Sequence, residues 1–222
     1  KACKEKLRTS PYRLASTIKR QASAGLPASD DLPQTLIALL KVTPEDLQNA
    51  WSATSAAAHD RLDQFAQTRM ARYSPDRDFP ALPGTSVLSP YLAAGLISAG
   101  QCLHAALVQN QGESDSGQRG IVVWINELLW REFYQHLLFG YPALSKHQPM
   151  RPETSAVVWR DVPQEFNAWA QGRTGIPIID AAMRQLLATG WMHNRLRMVV
   201  AMFLTKNLLI DWRLGEAFFM QH

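Results

Sequence analysis

Cysteine is nearly missing from this chain. Its 222 residues hold two, Cys3 and Cys102, far apart and without CxxC spacing. A disulfide framework and a structural zinc are therefore not expected, and a reducing, cytoplasmic setting is. His136 and His193 have no carboxylate or cysteine at ligand spacing, so no metal site is expected. Long apolar runs are also lacking. Stretches such as 121–124 and 198–204 are short or amphipathic, which argues against a membrane span. The charged N-terminus has no apolar run behind it, so a signal peptide is not expected. No period-2 alternation persists, and no internal repeat is visible. The predicted fold class is all-α. Excess charge is small: 23 Lys+Arg against 19 Asp+Glu, a net +4. On its own that is weak evidence for nucleic acid. Lysine is scarce after Lys1, Lys4 and Lys6, and arginine, the better bidentate partner of phosphate, replaces it.

The order of turn and helix signals is legible. Residues 1–60 read as a loosely organised helical region broken by Pro11, Pro27, Pro33 and Pro44, with Thr43 as a helix cap. A helix is predicted over 61–72, followed by irregular chain around Ser74-Pro75-Asp76 and from Phe79 to Gly84. Ser89 is expected to cap a short helix with Pro90 in its first turn and Gly95 at its end. Further helices are predicted over 98–109, 122–139, 164–171, 177–188 and 194–209. The polar stretch 111–120 separates the first two, and the proline-rich stretch 141–163 follows the second. The helix over 194–209 is expected to be the last complete one, with the chain stopping in mid-pattern as a fragment.

Three segments carry candidate chemistry. In Gly84-Thr85-Ser86-Val87-Leu88-Ser89-Pro90, three hydroxyls sit at a helix mouth whose first N–H groups lack internal partners. That arrangement suits phosphate, although an ordinary serine cap explains it too. In Trp124-Ile125-Asn126-Glu127-Leu128-Leu129-Trp130-Arg131-Glu132-Phe133-Tyr134, residues Trp124, Glu127, Trp130 or Arg131, and Tyr134 recur at helical spacing. A carboxylate between two indoles is expected in a partly desolvated pocket, where it could hydrogen-bond a base carbonyl while Trp130 offers a stacking face. The ordinary alternative is a core helix with a Glu127–Arg131 ion pair. In Trp191-Met192-His193-Asn194-Arg195-Leu196-Arg197-Met198, Asn194 and Arg197 share a helix face, and Arg195 is turned away by roughly 100°. Trp159 and Trp212 could relay an electron or simply pack.

Taken together and in order, these segments resemble the FAD-binding helical domain of the DNA photolyase/cryptochrome family. They comprise Arg77-Asp78-Phe79-Pro80, GTSVLSPYLAAGLIS, WINELLWREFYQHLL and TGIPIIDAAMRQLLATGWMHNRLRMVVAMFLTKNLLIDWR. The resemblance runs from about Tyr73 onward and is nearest to the bacterial class I enzymes that repair cyclobutane pyrimidine dimers. It implies a helical interdomain linker region at 1–60 and the N-terminal part of the FAD-binding domain at 61–222. The α/β antenna domain and the C-terminal FAD-domain segment would be absent.

The resemblance also implies roles. Tyr73, Thr85, Ser86, Val87, Leu88 and Ser89 match FAD-holding positions, although the family commonly has a basic residue where Val87 stands. Trp124, Glu127, Arg131, Asn194 and Arg197 match positions lining the flavin or the lesion. Arg77, Glu127, Trp130, Arg131, Tyr134, Asn194 and Arg195 match the DNA-facing set. Trp159 and Trp212 match electron-relay positions, and Lys146 one near a folate antenna. The implied activity is light-driven dimer repair, with reduced FAD as cofactor and a folate or deazaflavin antenna only in the full-length protein. The implied partner is UV-damaged DNA, with nucleoid association at damage. A full-length monomer and a self-associating, inactive fragment are expected. A cryptochrome-type photoreceptor is the alternative.

Overall fold

The structure is a computed structural model that describes residues 51–222. The readings that fall on residues 1–50, including the Thr43 cap and most of the linker region, lie outside the described residues. The described residues contain helices and turns and no strand, so the fold is all-α as predicted. They divide into two compact units, 51–77 with 84–130 and 78–83 with 131–222.

The first unit is built on α1 (Ser55–Thr68). Thr54 caps it, its side chain accepting from the Ala57 N–H at 3.1 Å. Ala58, Leu62, Phe65 and Ala66 recur at helical spacing and are buried. The helix predicted over 61–72 thus begins earlier and ends at Thr68. A 3-10 turn (Met70–Arg72) takes the place of its predicted last turn, and a single α-turn, α2 (Tyr73–Asp76), follows where irregular chain was expected. Next come α3 (Ser89–Ala93), α4 (Ala99–Gln109) and α5 (Arg119–Gly140). Ser98 and Gln101 close a reciprocal capping box at the start of α4. The polar stretch before α5 is organised by buried Asn110, which donates to the carbonyls of Glu113 and Ser116 and accepts from the Gln118 N–H. Cys102 is fully buried in this core.

In the second unit, the segment after α5 contains 3-10 turns at Leu144–Lys146 and Pro152–Ala156. Helices α6 (Pro163–Ala170), α7 (Pro177–Thr189) and α8 (Asn194–Met202) then pack around Trp169, Met183, Leu186, Val200 and Leu204. Trp169 is fully buried and donates its indole N–H to the Val200 carbonyl at 3.0 Å. Gly190 ends α7 at φ 66°, as its place in the sequence predicts.

The helix predicted to run to residue 209 does not do so. It gives way after Met202 to a π-turn (Phe203–Asn207), and Leu209 takes φ 53°. A further helix, α9 (Trp212–Gln221), was not anticipated. Asp211 caps it by accepting from the Arg213 N–H. Gly215 lets it approach closely, since a Cβ there would lie 2.5 Å from Leu204.

Candidate functional site

In the first unit, Gly120 sets the geometry. A Cβ on it would lie 2.0 Å from the Ala71 carbonyl oxygen, so only glycine lets the first turn of α5 rest on the 3-10 turn. From that anchor, α5 carries Trp124 and Glu127 past Tyr73 and Arg77. Phe65 links the aromatics, its ring lying 6.1 Å from Tyr73 and 5.4 Å from Trp124. Trp124 is therefore a core residue, 4% exposed.

Glu127 pairs with Arg77, whose guanidinium also lies 5.7 Å over the Tyr73 ring. The expected desolvated carboxylate between two indoles is thus an ion-paired one, with about a third of its side chain exposed. The alternative Glu127–Arg131 pair does not form, because Arg131 turns to Glu132 at 2.9 Å. Trp130 is 52% exposed, and Phe133 and Tyr134 are exposed beyond it.

The hydroxyl segment departs from expectation at its cap. Leu88, not Ser89, occupies the cap position. Ser89 is the first residue of the five-residue α3 and makes no capping bond. The cause is one residue upstream: Val87 lies at φ 53°, a left-handed conformation rare for a β-branched side chain. It turns the chain so that Leu88 is buried and the helix starts early. The hydroxyls of Thr85, Ser86 and Ser89 consequently have no partner among the described residues. Gly84 packs against Asp76, where a Cβ would lie 2.7 Å from the carbonyl oxygen. That contact fixes the segment beside α2.

In the second unit, α8 presents the polar heads. His193 caps it, its Nδ1 accepting from the Arg195 N–H at 3.1 Å. Asn194 is exposed, and Arg195 pairs with Asp78. Arg197 is partly buried. Its Nε donates to the Met192 carbonyl at 3.4 Å, and its guanidinium lies 5.5 Å over Phe219. Among the described residues no carboxylate pairs with it, and burial holds its pKa below the usual arginine value.

Arg160 brings the Trp159 and Trp212 segments together: its backbone N–H donates to the Leu209 carbonyl at 2.8 Å, and its guanidinium to that of Leu208. Trp212 is covered by the Arg213 guanidinium at 4.9 Å and borders a groove of about 280 Å³, with Ala201, Thr205, Gly215, Glu216 and Phe219.

Asp180, which sequence reading did not single out, is buried at the start of α7. Burial alone would raise its pKa. The Thr174 hydroxyl, the N–H groups of Thr174 and Gly175 and the Arg184 charge outweigh that and hold it below the usual carboxylate range. Thr174-Gly175-Ile176-Pro177 followed by Asp180 was the available signal. The roles of Gly120 and Asp78 depend on contacts with residues distant in sequence, which left no local signal.

No group of three or more metal-ligating side chains occurs among the described residues, and no helix there is long and apolar enough to cross a membrane. Residues 124–222 match the model of the FAD binding domain of DNA photolyase. The deoxyribodipyrimidine photo-lyase of Salmonella typhimurium is 56% identical over 160 residues, 72% of this chain and 33% of that protein. The chain thus spans about a third of the length of this curated relative. A bacterial class III photolyase from Agrobacterium tumefaciens superposes with TM-score 0.76 at 42% identity, covering 88% of this chain and 40% of that one. A Synechocystis cryptochrome superposes with TM-score 0.67 at 31% identity, covering 75% and 34%. Over residues 124–222 the chain belongs to the family of FAD-binding domains of DNA photolyases.

Proposed function

We propose that the chain carries the flavin-holding and lesion-reading residues of a light-driven enzyme that repairs cyclobutane pyrimidine dimers in DNA. The observation that carries this reading is the exposed Trp130 one helical turn beyond Glu127, a carboxylate steered by Arg77. A photoreceptor has no need of an indole and a carboxylate presented to a base pair. A cryptochrome reading has the Synechocystis structure in its favour, at lower identity than the photolyases.

The residues fit an FAD. Three hydroxyls without partners among the described residues, at Thr85, Ser86 and Ser89, suit its phosphates, and Val87 replaces a charged contact by backbone curvature. In the second unit, Arg197 is a desolvated cation with no carboxylate among the described residues, fit for an electron-rich ring system, and Asn194 stands at the same helix start. Reduced FAD, when bound, would lend an electron to the dimer under blue or near-UV light and regain it once the ring has split, so the repair is redox-neutral.

The chain's own residues do the rest. Trp130 stacks on the flipped lesion, Glu127 hydrogen-bonds its base edge, and Arg77 and Arg195 contact flanking phosphates. Trp159 and Trp212 feed electrons inward, and exposed Lys146 faces an antenna chromophore. The test is repair of a thymine-dimer oligonucleotide by the intact protein. Repair that requires light and reduced flavin supports the reading. A flavin-loaded protein that leaves the dimer intact in light would favour the photoreceptor.

A further inference from the structure

Arg195 stands in the first turn of α8, and its guanidinium is held by Asp78, a residue 117 positions earlier. Their side chains are 42% and 53% exposed. An ion pair so open to water does little for folding. It does decide which anion the guanidinium faces. Asp78 begins the segment 78–83, which groups with the second unit while its chain neighbours on both sides belong to the first. Phe79 and Leu82 of that segment are exposed at 59% and 48%, so apolar burial is not its main tie. A carboxylate and a phosphodiester offer the guanidinium fork the same paired oxygen acceptors.

We propose that Asp78 is an internal stand-in for DNA phosphate, which limits how tightly the protein holds any duplex backbone. A duplex must displace the Asp78 carboxylate before Arg195 can grip it. The exchange swaps one exposed ion pair for another, so it is readily reversible, and release from undamaged DNA is fast. This inference rests on reading Arg195 as a DNA contact, and the experiment separates the two.

The measurement is fluorescence anisotropy of the protein with an undamaged 20-base-pair duplex over a range of salt. It compares the parent, Asp78→Asn, Arg195→Gln and the double variant. Asparagine keeps the size and hydrogen-bonding oxygen of Asp78 and removes only the charge. Asp78→Ser is the second variant should Asn disturb folding. The expected result is a ~2- to 5-fold tightening for Asp78→Asn, the converse of a surface ion pair's worth. The slope of log K against log salt should steepen by about 1. Both changes should vanish in the Arg195→Gln background. Tightening that survives Arg195→Gln would show general charge repulsion and overturn the inference. Parental affinity for Asp78→Asn, with weaker binding for Arg195→Gln, would overturn it while leaving Arg195 a DNA contact. Arg195→Gln binding as the parent does would remove both.

Discussion

Trp130 and Asp180 mark two different uses of a residue. Trp130 leaves half its surface in water on a helix that elsewhere buries Ile121, Trp124, Ile125 and Leu128. An indole left so exposed suits a face made for stacking. Trp130→Ala should weaken binding of dimer-containing DNA by ~1–3 kcal/mol with little change in melting temperature. Titration of lesion DNA with the variant checks this, and unchanged affinity would leave Trp130 a surface residue without a DNA role. Asp180 is structural. Its carboxyl is held below the usual carboxylate range, so the folded state takes up its proton less readily than the unfolded chain. Its contribution is therefore present above about pH 4 and lost as pH falls through the lowered value. Asp180→Asn should cost about 2 kcal/mol at neutral pH, where charged hydrogen bonds are lost, and the gap to the parent should narrow in acid. Denaturant melts at pH 7 and pH 3 test the sign. A gap of equal size at both would show that the charge of Asp180 plays no part.

At the scale of elements, periodic apolar spacing and end signals made the helices legible. Gly190 ended α7 where the sequence said it would, and α4 starts within a residue of its predicted beginning, with the Ser98–Gln101 box as the device that starts it. Proline was misread at Ser74-Pro75-Asp76, because Pro75 is tolerated within the first turn of the one-turn α2. The π-turn at Phe203–Asn207 had no periodic signature, since one extra residue per turn only shifts the pattern. Ser89 was misplaced as a cap because nothing in the sequence shows that Val87 adopts a positive φ. Gly120 is the element-scale contact most open to test. Gly120→Ala places a methyl within 2.0 Å of the unperturbed Ala71 oxygen, so α5 must shift away from the 3-10 turn. A loss of ~1–3 kcal/mol is expected, of the size seen for overpacking. Thermal unfolding checks it, and a melting temperature equal to the parent's would mean that the approach of α5 is not constrained there.

At the scale of the molecule, the all-α class and the residue types of the candidate site could be read in the chain, while its electrostatic wiring could not. Glu127 was expected beside indoles or paired with Arg131. It pairs instead with Arg77, 50 positions earlier, because the close seating of Gly120 delivers α5 to that place. Arg195 and Asp78 meet across 117 positions, a separation no local pattern encodes. These pairs matter because they leave the proposed DNA-contacting arginines held by carboxylates rather than loose. Glu127 is where the functional account is most exposed to failure. If it hydrogen-bonds the dimer as the ring gains charge, its role belongs to the reacting state rather than to assembly. The decisive measurement is the repair quantum yield of Glu127→Gln in the intact protein, set against its FAD content and its affinity for lesion DNA. The account predicts a fall in yield of at least several-fold with flavin content near parental. A variant that repairs with the parental yield would contradict it and reduce Glu127 to a structural partner of Arg77.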